Sequence, residues 1–228
     1  MNSKDFHRLN LFTKIVGVLV NETPLRIGVG KEPPIGAPVD IAVYRINGKP
    51  VIPGSSLKGV FRSFAESLVT STMSQNHDPW NHEAIENEAK NNNFCLICSI
   101  FGNSELASHV RIYDAHPISE ARTFTKTGIG IDREFGGVKP GNFFVEEFVN
   151  PGVEWVFRMD VFNIKLFPEP EDERGKILRT LLNVLSTNGL SIGARKSVGC
   201  GLIKLKNAKW ETYTVKDLRL ECREEGTL

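Results

Sequence analysis

The firmest constraint in the sequence is a turn that feeds an amphipathic helix. Residues 51–68, VIPGSSLKGVFRSFAESL, open on the turn dipeptide Pro53-Gly54, and Ser55 or Ser56 can cap the free amides that follow. Leu57, Val60, Phe61, Phe64, Ala65 and Leu68 then recur at helical spacing on one face, which belongs in a core. The opposite face carries Lys58 and Arg62 one helical turn apart. Lys58 sits in the first turn, where a cation opposes the positive end of the helix dipole. An anion held by the Ser55 and Ser56 hydroxyls, the first-turn amides and Lys58 would turn that conflict into a binding site. The alternative is an ordinary helix with a solvated Lys and Arg.

Upstream, residues 11–20, LFTKIVGVLV, are rich in β-branched and apolar residues with imperfect alternation, as in a strand covered on both faces. Residues 26–40, RIGVGKEPPIGAPVD, follow as a long loop dense in glycine and proline; long ordered loops in compact domains tend to be functional. Asp40 closes that loop, and taken alone it reads as an Asx turn or a surface contact. Downstream, residues 110–113 make a short strand. Residues 121–149, ARTFTKTGIGIDREFGGVKPGNFFVEEFV, read as a protruding hairpin with turns at Gly136-Gly137 and Pro140-Gly141. Lys126, Arg133 and Lys139 lie among its glycines and aromatic residues, and taken alone the hairpin reads as cover for an open sheet edge.

Residues 154–165 form the clearest alternating strand, and Pro168 and Pro170 introduce a second helix over 171–185 with an apolar stripe of leucine and isoleucine. Residues 189–201, GLSIGARKSVGCG, make a glycine-rich loop before a strand at 202–206, and 210–228 reads as a last strand with a frayed, charged end. Strand, helix, strand, strand, helix, strand is the βαββαβ order of an α+β, modified ferredoxin-like (RRM-like) core with long insertions. One domain, 1–228, is expected, with insertions at 70–100 and 120–150.

The insertion at 70–100 is polar as far as residues 94–98, FCLIC. His77, His82, Cys95 and Cys98 offer four ligands of the kind that hold tetrahedral zinc. The other reading packs both thiols in the core beside Ile100 and Phe101 and leaves both histidines in water. A chain of 228 residues, 40% of them hydrophobic, can bury a substantial core. Its net charge of +1 excludes a generic polyanion binder, so a nucleic-acid site has to be a local concentration of Lys and Arg. Neither a long apolar run nor a secretory leader is seen, so a cytoplasmic protein with reduced thiols and no membrane contact is expected.

Three ordered blocks carry a resemblance: 35–43, IGAPVDIAV; 52–62, IPGSSLKGVFR; and 190–203, LSIGARKSVGCGLI. With 99–103, SIFGN, and 128–149 they touch most of the chain. Together they resemble the RAMP superfamily of CRISPR systems, especially the Csm/Cmr-type backbone subunit of type III effector complexes. The resemblance implies a subunit that grips guide RNA (crRNA) and stacks head to tail with copies of itself and beside other subunits of the complex. It would cleave the complementary target RNA at regular intervals.

In the resembling family the Asp of the IGAPVD block is the residue needed for cutting, which here is Asp40. A carboxylate near the scissile phosphate can hold a divalent ion, Mg2+ or Mn2+, that helps activate the ribose 2′-hydroxyl. Many members carry a His shortly before this loop; this chain has Arg26 there, which suits phosphate contact. Ser55, Ser56, Lys58 and Arg62, together with Gly193, Arg195, Lys196, Ser197 and Gly199 of the glycine-rich loop, would meet the guide backbone. The hairpin, with Lys126 and Arg133, corresponds to the thumb that pushes between bases of guide and target. Relatives also carry Cys/His zinc sites in an insertion after the signature helix. A purely structural guide-binding subunit is the alternative. A guide-processing endoribonuclease is a third reading, but such enzymes usually work with a histidine, and the histidine near the start here is His7, ahead of the first strand.

Overall fold

The computed structural model describes residues 8–28, 39–72 and 77–228. His7 and the first four residues of the IGAPVDIAV block lie outside the described residues. The chain opens with β1 (Leu11–Asn21), and a two-residue ladder of β2 (Arg45–Ile46) and β3 (Lys49–Pro50) leads into α1 (Gly54–Thr72). The insertion after α1 holds α2 (His82–Asn91) and α3 (Leu96–Phe101), followed by β4 (Val110–Ile112). A long hairpin of β5 (Thr123–Ile131) and β6 (Val138–Val149) comes next. Then follow β7 (Glu154–Phe162), α4 (Glu173–Thr187), β8 (Leu190–Ser191), β9 (Leu202–Lys216) and β10 (Arg219–Thr227).

The main sheet runs β10-β9-β1-β7-β4, antiparallel throughout, with β8 added on β9. Without the insertions and β10, the elements β1, α1, β4, β7, α4 and β9 take the strand order β9-β1-β7-β4. This is the ferredoxin-like α+β arrangement expected from the pattern. The first strand is therefore central, which explains why its alternation is blurred. Ile15 and Leu19 point to the helix side, where Leu57 and Phe61 of α1 and Leu181 and Leu185 of α4 meet them, all fully buried. Each such side chain adds about 1.5–3 kcal/mol of burial. The other face of the sheet, bearing Phe12, Lys14, Val16 and Val18, is only half covered.

Pro53-Gly54 serves the start of α1 by close approach. A Cβ on Gly54 would come within 2.3 Å of the Ile112 carbonyl of β4. The Gly54 amide is met by the Asp114 carboxylate at 2.8 Å, and the Pro53 carbonyl accepts from the Ser56 and Leu57 amides. The chain's own acid thus occupies the positive end of the dipole. That corrects the expectation of a serine cap and of an anion seated on these amides.

Two expectations about turns also change. Pro140-Gly141 is not a turn: it falls in β6, in a bulge that sets four residues between Val138 and Phe143 against one between Ile131 and Ile129. The carboxy-terminal segment is not frayed. β9 continues to Lys216 and folds back through Asp217 and Leu218, both at positive φ, into β10. That two-residue geometry matches the twist of a hairpin, but a leucine there gives no turn signal. Among the described residues no helix is long and apolar enough to cross a membrane.

Two interactions at the strand ends give tests of stability. Asn21, wholly buried, accepts from Trp155 Nε1 at 3.0 Å and donates to the carbonyls of Thr23 and Asn150 at 3.0 and 2.9 Å. The near-isosteric Asn21→Leu strands those partners, and urea unfolding should show a loss of about 2–5 kcal/mol. Glu147 of β6 accepts from the Arg45 guanidinium and from the Val43 amide at 3.0 Å. Arg45, more than any other group, holds this carboxylate down at about 2 against an ordinary 4.5. A depressed carboxyl gives stability that is complete above its unfolded value and lost as pH falls through its folded one. Glu147→Gln should therefore be less stable than the wild type at neutral pH, with the gap closing between about pH 5 and 2 in urea melts at each pH.

Candidate functional site

The apolar stripe that buries one side of α1 leaves its other side lined with small residues. Ser56, Gly59, Ser63 and Ser67 form one wall of a groove of about 440 Å³ whose other wall is Ser191, Gly193 and Lys196 of the glycine-rich loop. Nothing lies within 4 Å of a Cβ placed on Gly59, so this ridge of the helix is open to an extended ligand. Across the same ridge, Ser55, Lys58, Arg62, Gly102 and Asn103 line a second cavity of about 460 Å³. Burial, and then the neighbouring Arg62 charge, lower the Lys58 ammonium pKa. A phosphate there would relieve both.

The loop opposite is held by close backbone contacts. Gly193 has φ +82° and sits where a Cβ would lie 2.2 Å from the Arg26 carbonyl, which accepts from the Ala194 amide at 2.9 Å. After Arg195, itself left-handed at φ 60°, Lys196–Val198 makes a single 3-10 turn closed by Gly199. Lys196, Ser197 and Gly199 are exposed.

The inner end of β6 joins this loop to Asp40. Asp40 is exposed and fastened to β6 twice: its Oδ2 accepts from the Val145 amide at 2.6 Å and its own amide donates to the Val145 carbonyl at 2.9 Å. The next residue, Glu146, is buried and accepts from both Arg26 and Arg195, the latter at 2.9 and 3.0 Å. Arg195 also lies over the Phe144 ring, 5.1 Å from its centroid. Asp40 and the glycine-rich loop are therefore held by consecutive residues of one strand.

This network corrects the reading of Arg26. It is 8% exposed and paired with Glu146, so it fixes the loop from inside and does not face a phosphate. Arg195 shares that acid but keeps two-fifths of its side chain exposed. Arg62 is also held, donating to Glu66 and to the Gly102 carbonyl at 2.8 Å and reaching Cys98 Sγ at 3.8 Å. Lys126 and Arg133 are exposed on β5 and on the hairpin turn, away from the groove walls. The hairpin tip is apolar as well as basic, with Ile131, Phe135 and Phe143 largely exposed.

A separate cluster forms where α2 meets α3. One ligand atom from each of His77, Glu88, Cys95 and Cys98 lies within 4.8 Å of all the others. His82 is not among them. Asn81 caps α2 by accepting from the Ala84 amide at 3.1 Å, which leaves His82 exposed on the first turn. Glu88 takes the place expected for it. The signal was present: Glu88 lies three residues after Ile85, the buried residue of α2, and so shares its inward face.

The electrostatics of the cluster favour a bound cation. The Cys98 thiol is pulled down to about 6, first by its hydrogen bond with Cys95, whose own thiol is pushed up. Burial would lower His77, but the Asp78 carbonyl and Glu88 outweigh it and raise the imidazole. Glu88 Oε2 is buried without a hydrogen-bond partner among the described residues. An orphaned carboxylate oxygen beside two thiols and an imidazole fits a four-coordinate site for a borderline-soft ion.

Comparison with known proteins agrees with this architecture. No curated protein matches the chain. The sequence profile of the RAMP superfamily matches residues 19–204, from the end of β1 through α1, the hairpin, α4 and the glycine-rich loop to the start of β9. The matched region holds every part of the groove, and the chain is thus a member of the RAMP superfamily, whose CRISPR-associated, RNA-binding role fits it.

Proposed function

We propose that the protein is a repeated backbone subunit of a type III CRISPR effector complex. The observation that carries this reading is the open groove between α1 and the glycine-rich loop, joined through β6 to an exposed Asp40. The guide backbone crosses the serine ridge between the groove and the neighbouring cavity, with one phosphate at Lys196 in the groove, another at Lys58 in the cavity, and sugars against the ridge. Base pairing supplies sequence recognition, so the protein needs backbone contacts and shape rather than base contacts. Copies stack head to tail along the guide, and each presents one Asp40 to the paired target.

One oxygen of Asp40 is engaged by the Val145 amide, which fixes the carboxylate, and among the described residues no hydrogen bond is made to its second oxygen. A single carboxylate suits a hard divalent ion, Mg2+ or Mn2+, that keeps several waters and takes its other ligands from phosphate. Such an ion would supply activation of the 2′-hydroxyl and charge stabilisation at phosphorus. The chain's part is to hold Asp40 rigidly on β6 while RNA geometry provides in-line attack.

The test uses purified complex with its guide and labelled complementary RNA, with magnesium or EDTA. Wild type should give evenly spaced products that require metal, and Asp40→Ala should abolish them while target binding stays intact. Products that persist in Asp40→Ala would assign the chemistry to another group. Binding without any cutting by the wild type would make the subunit structural.

We further propose that His77, Glu88, Cys95 and Cys98 hold a structural zinc ion that fastens α2 to α3. Metal analysis of the purified chain should find one zinc per protein, retained in His82→Ala and lost in Cys98→Ser and in Glu88→Gln. Retention of zinc in both of the latter variants, or its loss in His82→Ala, would reject this ligand set.

A further inference from the structure

The sheet face turned away from the helices carries a line of aromatic rings. Register places Tyr213 of β9, Phe12 of β1 and Phe162 of β7 side by side across three neighbouring strands. The Phe12 ring lies 5.2 Å from Phe162 and 5.7 Å from Tyr213, centroid to centroid, and all three are half exposed. The Arg111 guanidinium of β4 extends the line, 4.5 Å from the centre of Phe162. A second stack stands beside it, where Arg158 lies over Tyr113 at 4.6 Å.

Asp160 organises that second stack. Register sets it opposite Lys14 of β1, on the open face, yet it is only 2% exposed because the groups it binds cover it. Tyr113 donates to it at 2.7 Å, and Arg158 donates through two nitrogens at 2.9 and 3.1 Å. A buried acid thus holds a phenol ring and a guanidinium plane in fixed orientation at the surface. The other acid nearest the rings, Glu211, is engaged by Lys14 at 3.3 Å and by the Tyr213 hydroxyl at 2.7 Å. Lys206 and Lys209 of β9 point to the same face, opposite Val18 and Val16, and are exposed.

Cations therefore interleave with the rings, and Asp160 and Glu211 among them are buried or engaged, while Glu225 of β10 stands exposed at the Tyr213 edge of the face. Arginine and aromatic residues suit a protein interface as well as a nucleic acid, but lysine is depleted from interface cores, so Lys206 and Lys209 beside the rings favour a polyanion with flat bases. Unpaired bases stack on aromatic rings and on guanidinium planes, and a sheet face bearing such rings is a common RNA platform. We propose that this face is a second RNA-binding surface. It takes a short single-stranded segment whose bases stack along Tyr213, Phe12, Phe162 and Arg111 while its phosphates meet Lys206, Lys209 and Arg158. The face lies on the opposite side of the sheet from α1, so the proposal is independent of the groove.

The test uses the full chain and a 4-thiouridine-substituted oligouridine, with ultraviolet crosslinking, peptide mapping and affinity measurement. Crosslinks in peptides from β1, β7 or β9 are expected, whether or not α1 and the 190–201 loop are also labelled. Phe12→Leu combined with Tyr213→Leu keeps apolar volume but removes two ring faces, and should weaken binding roughly tenfold or more with an unchanged thermal melt. Arg158→Gln gives a milder variant should the double one fold poorly, and should weaken binding severalfold. The proposal is overturned if crosslinks fall only on α1 and the loop, or if the folded variants bind as tightly as wild type. It is also overturned if the wild type binds no oligouridine, or if the variants alter self-association but not RNA affinity, which would make the face a protein contact. Crosslinks confined to the sheet would uphold it while removing the groove reading.

Discussion

One buried carboxylate holds the working parts of this molecule together. Glu146 sits at the inner end of the long hairpin, accepts from Arg26 beside β1 and from Arg195 in the glycine-rich loop, and is 4% exposed. Two cations around one acid leave a net positive charge, and the more solvated partner, Arg195, carries it outward. Removing one member of a buried pair of this kind commonly costs about 3–5 kcal/mol because the other charge is left in low dielectric. Its neighbours Val145 and Glu147 hold Asp40 and Arg45, so three consecutive residues of β6 fix the segment from Arg26 to Arg45 and, far along the chain, the loop at Arg195. Hairpin, loop and candidate catalytic carboxylate are thereby tied to one strand.

The other organising element, α1, has its two sides assigned by side-chain size. Leu57, Phe61 and Ala65 are buried against the sheet, whereas serines and Gly59 keep the outer ridge low enough for a backbone to lie against it. Charge on that helix is handled in the same economical way. Asp114 meets its amino end, Glu66 and the Gly102 carbonyl hold Arg62, and Lys58 is left among neighbours that disfavour its charge.

Much of this was legible because it is periodic and local. The helical stripe at 57–68, the alternation at 154–165 and the apolar pattern before Gly189 each identify one element and its buried face, and their order fixes the ferredoxin-like topology. What sequence reading missed is carried by long-range or unusual backbone geometry. Arg26 looked available because Glu146 is 120 residues away. Glu88 was overlooked as a candidate ligand because Cys and His are the expected zinc donors, although its spacing from Ile85 puts it on the inward face of α2. The hairpin of β9 and β10 was hidden because its turn uses Leu218 at φ 60°, where glycine or asparagine is the usual signal. Serine capping of α1 failed for the related reason that a remote side chain, Asp114, arrived first.

The matching of arginines by internal acids sets how tightly the groove can hold a strand. With Arg26 and Arg62 engaged inside the fold and Arg195 shared with Glu146, the full cations among the described residues that line the groove and its neighbouring cavity are Lys196 and Lys58. Two ammonium groups would displace few counterions, so one chain would grip a polyanion weakly, with an affinity that falls only gently as salt rises. In the proposed array affinity would grow by repetition: each further copy on the same strand would add its pair at high effective concentration, and a loose grip per unit would become a long residence for the whole. Under that proposal a subunit would slide into register before being locked, because no single copy would hold hard enough to trap an error.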